Sequence, residues 1–334
     1  MTAIPFFDFT NNVYLCNRSH WGLLTLSGDD RIRFLHNQTT NNIQALKPGE
    51  GCDTVFVTST GRNIDLVSAY VRQEDILLLV SPGENQRLYQ WMDRYIFPFD
   101  KVQLRDISSQ FSIFTLIGKQ STHLLANNLL ANCFESSVLS APEFQHFSVK
   151  IDGIEVFVTV GCNLKLPGYN LIVSREKADF LWEKLANLPL EIIDEEAWER
   201  LRILRGRPAV YHELTEDYNP LEAGLWHAVS FNKGCYIGQE TIARLNTYRG
   251  VKQRLWGIKL TGKINPDTDI HITVGEEKVG KLTSYFHTEE LSFALGYIRT
   301  KAGGEGLQVI VGSEKGEVVA LPFIRHEYYL GDKM

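Results

Sequence analysis

Apolar residues recur along this chain with two different spacings, and the switches between them mark its elements. Residues 21–26, Trp-Gly-Leu-Leu-Thr-Leu, predict a strand closed by Ser27-Gly28. Asp29 or Asp30 then caps a helix that carries Ile32, Phe34 and Leu35. Residues 54–58 and 64–70 predict two strands of a hairpin about the Thr60-Gly61 turn. Residues 76–80 read as a buried strand. Ser81-Pro82-Gly83-Glu84 then opens a helix with Leu88, Trp91, Met92 and Tyr95 on one face.

The pattern then repeats. Residues 111–118 match residues 21–28 at an offset of 90, with Thr25/Thr115, Leu26/Leu116 and Gly28/Gly118 identical. Leu35/Leu125 and Asn37/Asn127 keep the same offset. Leu171-Ile172-Val173-Ser174 followed by Phe180, Leu181 and Trp182 echoes Leu78–Ser81 followed by Leu88, Tyr89 and Trp91. The shared plan is strand, helix, hairpin, strand, helix, which predicts two similar α+β halves with a crevice where they meet.

Residues 195–207 predict a charged helix with Trp198, Leu201 and Leu204 on its apolar side, and Pro208 ends it. Arg200, Arg202, Arg205 and Arg207 project around it, and a solvated face is the default expectation for most of them. The polar segment that follows, with Glu213, Glu216, Asp217 and Asn219-Pro220, reads as an ordered loop leading toward Cys235. After Gly250 six short strands are expected, at 255–260, 270–274, 277–283, 293–298, 308–311 and 318–321. Turn signals such as Asn265-Pro266-Asp267 and Gly303-Gly304 separate them, which predicts a small barrel or sandwich as its own domain.

At 334 residues the chain is too long for one ordinary core. A net charge of -6 gives no indication of nonspecific affinity for nucleic acid or anionic membrane. The five cysteines (Cys16, Cys52, Cys133, Cys162, Cys235) are scattered without a C-x-x-C pair. That argues against a disulfide framework or an all-cysteine metal site and suits a reducing cytoplasm. The first nine residues lack the basic and apolar regions of a signal or transit peptide, and no apolar run approaches the roughly 20 residues that span a bilayer. The nine histidines show no i, i+4 pair and no zinc-like spacing, so no metal is expected. P-loop and G-x-G-x-x-G signatures are absent.

One stretch concentrates chemistry. Lys233-Gly234-Cys235-Tyr236-Ile237-Gly238-Gln239-Glu240 runs on to Ala243-Arg244, with a helix expected from Gly238. A thiol on a glycine-framed turn before a helix N-terminus, with Lys233 and Arg244 near in sequence, is placed where thiolate is favoured. An inert Cys beside a structurally required turn remains open on these grounds. A Cys–His hydrolase using His212 or His227 has no oxyanion-hole signature behind it.

K-G-C-Y-x-G-Q-E-x-x-A-R resembles the signature of the YgfZ family, which is related to the T-protein (aminomethyltransferase) of the glycine cleavage system. Asn219-Pro220-Leu221-Glu222-Ala223-Gly224-Leu225 and the stretch from Leu201-Arg202 to Gly206 are similar to segments shared by both families. Residues 26–40, 279–284 and 294–299 also resemble them, so the likeness covers most of the chain. It departs from the T-protein at two acids. Gly61-Arg62-Asn63-Ile64-Asp65-Leu66 keeps one of two paired aspartates, and Gly168-Tyr169-Asn170 has Asn where those proteins carry a pterin-binding Glu. The motif Cys is itself absent from T-proteins.

The resemblance implies an α+β chain of three domains in a ring, with two interleaved, internally duplicated domains and a C-terminal β-barrel. Their expected extents are 1–47 with 111–140 and 198–249, then 48–110 with 141–197, then 250–334. It implies tetrahydrofolate or a derivative as cofactor, iron–sulfur client or assembly proteins as partners, including tRNA-modifying enzymes, and a monomer in the cytoplasm. Direct nucleic-acid or membrane binding is not expected. Cys235 is the expected functional thiol, with Lys233 and Arg244 stabilising its anion. Tyr236, Arg202, Asn170, Glu222 and Gln239 are the candidate cofactor contacts. Gly234, Gly238 and Glu240 are expected to shape the turn. The alternative function is a folate-dependent aminomethyltransferase.

Overall fold

The computed structural model describes residues 7–129, 141–265 and 270–329. The expectations on Cys133, on the Pro266-Asp267 turn and on the chain before Phe7 lie outside them. Two compact units divide the chain. The first comprises Met1–His36, Ile43–Thr54 and Val67–Trp198, and the second Asn37–Asn42, Val55–Leu66 and Glu199–Met334.

The predicted repeat is present as two sheets of matching plan. In the first half come β1 (Tyr14–Asn17), β2 (Gly22–Ser27), α1 (Arg31–Gln38), β3 (Gly51–Val57), β4 (Asn63–Val71), β5 (Asp75–Val80) and α2 (Asn85–Asp93). The second half has β6 (Gln103–Asp106), β7 (Phe111–Ile117), α3 (Ser121–Asn128), β8 (His146–Ile151), β9 (Ile154–Val160), β10 (Gly168–Ser174) and α4 (Ala178–Ala186). A short β11 (Glu191–Ile193) follows. The sheet orders are β3-β4-β5-β2-β6 and β8-β9-β10-β7-β1-β11. Aligned position by position, the halves have exchanged a strand. β1 pairs antiparallel with β7, and β6 pairs antiparallel with β2. The exchange explains Gly28 and Gly118. Each has positive φ, at 99° and 130°. A Cβ there would lie 2.1 Å from the Lys101 carbonyl or 2.3 Å from that of Asn12, just ahead of the incoming strand. Only glycine tolerates both the conformation and the approach. The apolar alternation that predicts the long strands is missing from β1, β6 and β11, which are too short to carry a period.

Within the second unit α5 (Glu195–Arg205) ends before Pro208, and α6 (Gln239–Thr247) follows the Cys motif. Six strands then close a barrel in the order β12-β15-β14-β13-β16-β17. They are β12 (Gln253–Leu260), β13 (His271–Val274), β14 (Glu277–His287), β15 (Ser292–Arg299), β16 (Gln308–Val311) and β17 (Glu314–Val319). The sixth strand begins four residues before the expected 318, because the Gly312 turn pairs Glu314 directly with Val311. Ile258, Ile272, Ala294, Ile298 and Val311 fill the barrel.

One expectation is corrected. Arg202, Arg205 and Arg207 are buried rather than solvated. The acid-rich segment after them is anchored through Leu214, Tyr218, Leu221, Ala223 and Leu225, while Glu216 and Asp217 stay exposed. For Arg202 the reason is a buried charge network that sequence spacing does not reveal. Arg202 donates to Glu199 and, at 2.9 Å, to Glu213, and at 2.8 Å to Ser284 Oγ in β14. Glu213, with no exposed surface, also accepts from the Ala209 N–H and the Thr283 and Ser284 hydroxyls. A buried carboxylate is tolerated only with such full pairing.

Candidate functional site

The Cys motif is held along residues 37–41. The Ser230 N–H donates to the Thr40 carbonyl at 3.0 Å, and the Ile237 N–H to that of Asn37 at 3.0 Å. Lys233, a residue 9% exposed, donates from its ammonium to the carbonyls of Thr39 at 2.6 Å and Asn41 at 2.8 Å. It also lies over the Tyr236 ring, 4.7 Å from its centre. Lys233 therefore fastens the loop, and its charge is directed into backbone oxygens. Gly238 caps α6 with φ +79°, where an added Cβ would stand 2.5 Å from the Thr58 carbonyl. Gly61, at φ +74°, faces it from the β3–β4 turn, its own Cβ position 3.2 Å from the Gly238 carbonyl. Two glycines back to back let that turn meet the start of the helix.

This frame leaves Cys235 exposed, as a free thiol, four residues before α6 begins. Gly234 beside it is exposed too, while Tyr236 is buried and its hydroxyl is held well above the usual range by that burial. Gln239 is half-buried in the first turn of α6. Glu240 and Arg244 are exposed on the same helix. Lys233, Gly234, Cys235, Tyr236, Gly238 and Gln239 thus form one loop, whereas Arg202 is committed to the Glu199–Glu213 network. Glu222 is 6% exposed and shapes the Asn219-Pro220 turn, accepting from the Asn219 N–H at 3.1 Å with Arg62 at 3.8 Å. Burial raises its carboxyl, against the lowering effect of that N–H and of Arg62.

Asn170 belongs to the first unit and is wholly buried. Its Nδ2 donates to Thr159 Oγ1, the Gly161 carbonyl and Asn163 Oδ1 at 3.0–3.1 Å. Its Oδ1 accepts from Thr115 at 2.8 Å and Arg18 at 3.5 Å. The Arg18 guanidinium lies between Trp21 and Trp198, 3.7 and 4.2 Å from their ring centres. Asn163 in turn donates to Ser68, which donates to Asp53. Protein groups thus satisfy the Asn170 amide.

A heterocycle with alternating donors and acceptors needs the opposite, polar atoms awaiting partners. In the second unit Asn63 supplies them. It is 1% exposed, and among the described residues neither Oδ1 nor Nδ2 has a hydrogen-bond partner. Asp65, two residues on in β4, leaves the strand on the same side. Gln38 Oε1, adjoining the residues that hold the Cys loop, is likewise buried without a donor. Neither amide was singled out as a contact from sequence, since an unpaired Asn in a strand looks like any other. No group of three or more His, Cys, Asp or Glu side chains could hold a metal ion among the described residues. No helix among them is long and apolar enough to cross a membrane.

Residues 8–233 match the family model of the GCVT N-terminal domain. A chloroplastic protein of Arabidopsis thaliana, provisionally named as a transferase, is 42% identical over 96% of this chain and 73% of its own length. An aminomethyltransferase of Bacillus mycoides is 27% identical over 91% of this chain and 84% of its own. Among solved structures, the glycine cleavage system aminomethyltransferase T of Bartonella henselae superposes with a TM-score of 0.82. It shares 20% identity and covers 96% of this chain and 89% of that one. That likeness carries the fold.

Proposed function

The chain belongs to the family of the GCVT N-terminal domain, and on that premise we propose that it is a folate-binding protein of the YgfZ type, supporting the assembly or repair of iron–sulfur proteins in the cytoplasm. Cys235 is its functional thiol. The observation that carries the reading is an exposed Cys on a loop fastened at Lys233, Ile237 and Gly238. That anchoring fixes the position of a solvent-facing sulfur, which supports a role for the thiol. Asn63, Asp65 and Gln38 are the groups that would hold the folate heterocycle, which when bound supplies or accepts a one-carbon unit. Asn170 supports the neighbouring strands through its saturated amide. The expected clients include iron–sulfur enzymes that modify tRNA.

The aminomethyltransferase reading draws on the relatives that bear that name. Against it stand Leu66 and Asn170, apolar and neutral at the two positions where the resemblance expects acids. A single comparison separates the two. Cells lacking this protein are complemented with wild type or Cys235→Ser, and iron–sulfur enzyme activity is measured. Separately, the purified protein is given tetrahydrofolate and an aminomethylated lipoyl carrier protein. The proposed function predicts restoration by wild type, failure of the variant and no transfer from the carrier. Transfer of the one-carbon unit, or full restoration by Cys235→Ser, would decide against it.

A further inference from the structure

The end of the described chain crosses the second unit toward the Cys235 loop. Phe323 N–H donates to the Arg205 carbonyl and Arg325 N–H to that of Gly224, both at 2.9 Å. The Tyr328 ring meets Trp226 edge-on at 5.2 Å, and its hydroxyl accepts from the Val251 N–H at 3.2 Å. Tyr329 then makes contacts of a different kind. Its N–H donates to Asn246 Oδ1 at 2.9 Å, and its carbonyl accepts from Asn246 Nδ2 at 3.1 Å. Its ring stacks on Phe231 at 5.3 Å with 11° between planes, and its hydroxyl accepts from Asn232 Nδ2 at 2.5 Å.

Phe231 and Asn232 immediately precede Lys233, and Asn246 lies in the last turn of α6. One residue of the tail therefore grips both flanks of the segment that carries Cys235. A tail held only for packing would need its aromatic contacts alone. A carboxamide that reads both the N–H and the C=O of a single residue imitates strand pairing and fixes position as well as proximity. Asn is also a mediocre helix former, so its presence in α6 is not explained by helix propensity.

We propose that Asn246 and Tyr329 are positioning residues, a clasp that sets the conformation of the Cys235 loop and limits access to its sulfur. The second half of that statement rests on Cys235 being the functional thiol. Asn232 and Asn246 hold the loop's two ends, while Lys233 and Ile237 hold its middle against residues 37–41. Opening it lets both ends move and widens the directions from which a reagent can reach Cys235.

The test uses the full chain with Asn246→Leu, which removes both bonds to the Tyr329 backbone, and Tyr329→Phe, which removes the Asn232 bond. Amide hydrogen exchange is followed over residues 231–239, and iodoacetamide alkylation is followed at Cys235 with half-buried Cys52 as internal reference. Asn246→Leu should speed exchange in that segment at least tenfold and Cys235 alkylation at least threefold, with Cys52 unchanged and Tyr329→Phe in between. Wild-type rates in both variants would overturn the clasp. So would faster exchange spread through β12 and β15, which would mean general loosening. Faster local exchange with a Cys235 that reagent never modifies would support the clasp while removing the functional-thiol reading.

Discussion

His326 shows how one side chain couples this fold to pH. It packs against Trp256, ring centres 4.4 Å apart. Burial, with the nearby Arg254 charge adding to it and a backbone bond at Leu255 opposing, holds its imidazole down at about 4. An unfolded His titrates near 6.5. Between those values the unfolded chain binds the extra proton and the folded one does not, so stability falls as pH drops from 6.5 toward 4. The expected loss is roughly 3 kcal/mol. Urea unfolding at pH 7 and pH 4 should include that loss, and His326→Gln should make the difference smaller by about that amount. A variant with the same pH dependence as wild type would place the effect elsewhere. Nothing in the sequence marks His326 among nine histidines, because its burial is made by β12, far away in the chain. Asn63, Arg202 and Asn170 stand in segments that the resemblance picks out, but their contacts are equally unreadable. Their types are legible, but whether each is spent or waiting depends on partners brought in by the fold.

Elements with a full period were readable, and elements shaped by exchange or close approach were not. The long strands, the helices and a small barrel or sandwich follow from alternation and turn residues, and the family resemblance alone chose the barrel. β1 and β6, four residues each, trade places between the two halves. Only Gly28 and Gly118 hint at that in the sequence. The Cys motif was legible as a glycine-framed turn before a helix. Its attachment to residues 37–41 was not, since those backbone bonds leave no trace in side-chain identity. Gly238 is the element's critical position. Gly238→Ala would force a positive φ on a Cβ residue and drive that carbon against the Thr58 carbonyl. The strain alone costs on the order of 1–3 kcal/mol. Thermal unfolding should show a fall of that size, and exchange at the Ile237 amide should rise. An unchanged melting temperature would show that the turn relaxes freely.

At the scale of the molecule, segments far apart in sequence build the site together. Residues 37–42, 55–66, 230–247 and 326–329 all belong to the second unit, and each contributes a contact around the Cys loop or an amide awaiting a partner. Residues 37–42 take in the end of α1, and residues 55–66 the turn of the β3–β4 hairpin. Family membership accounts for this plan, and Leu66 and Asn170 stand at the two positions where the resemblance expects acids. The claim at the centre is a folate site that exists independently of the thiol beside it. Calorimetric titration of tetrahydrofolate into the wild-type protein and Cys235→Ala tests it most directly. Saturable binding of similar affinity in both is the expected result. No binding by either form would contradict it.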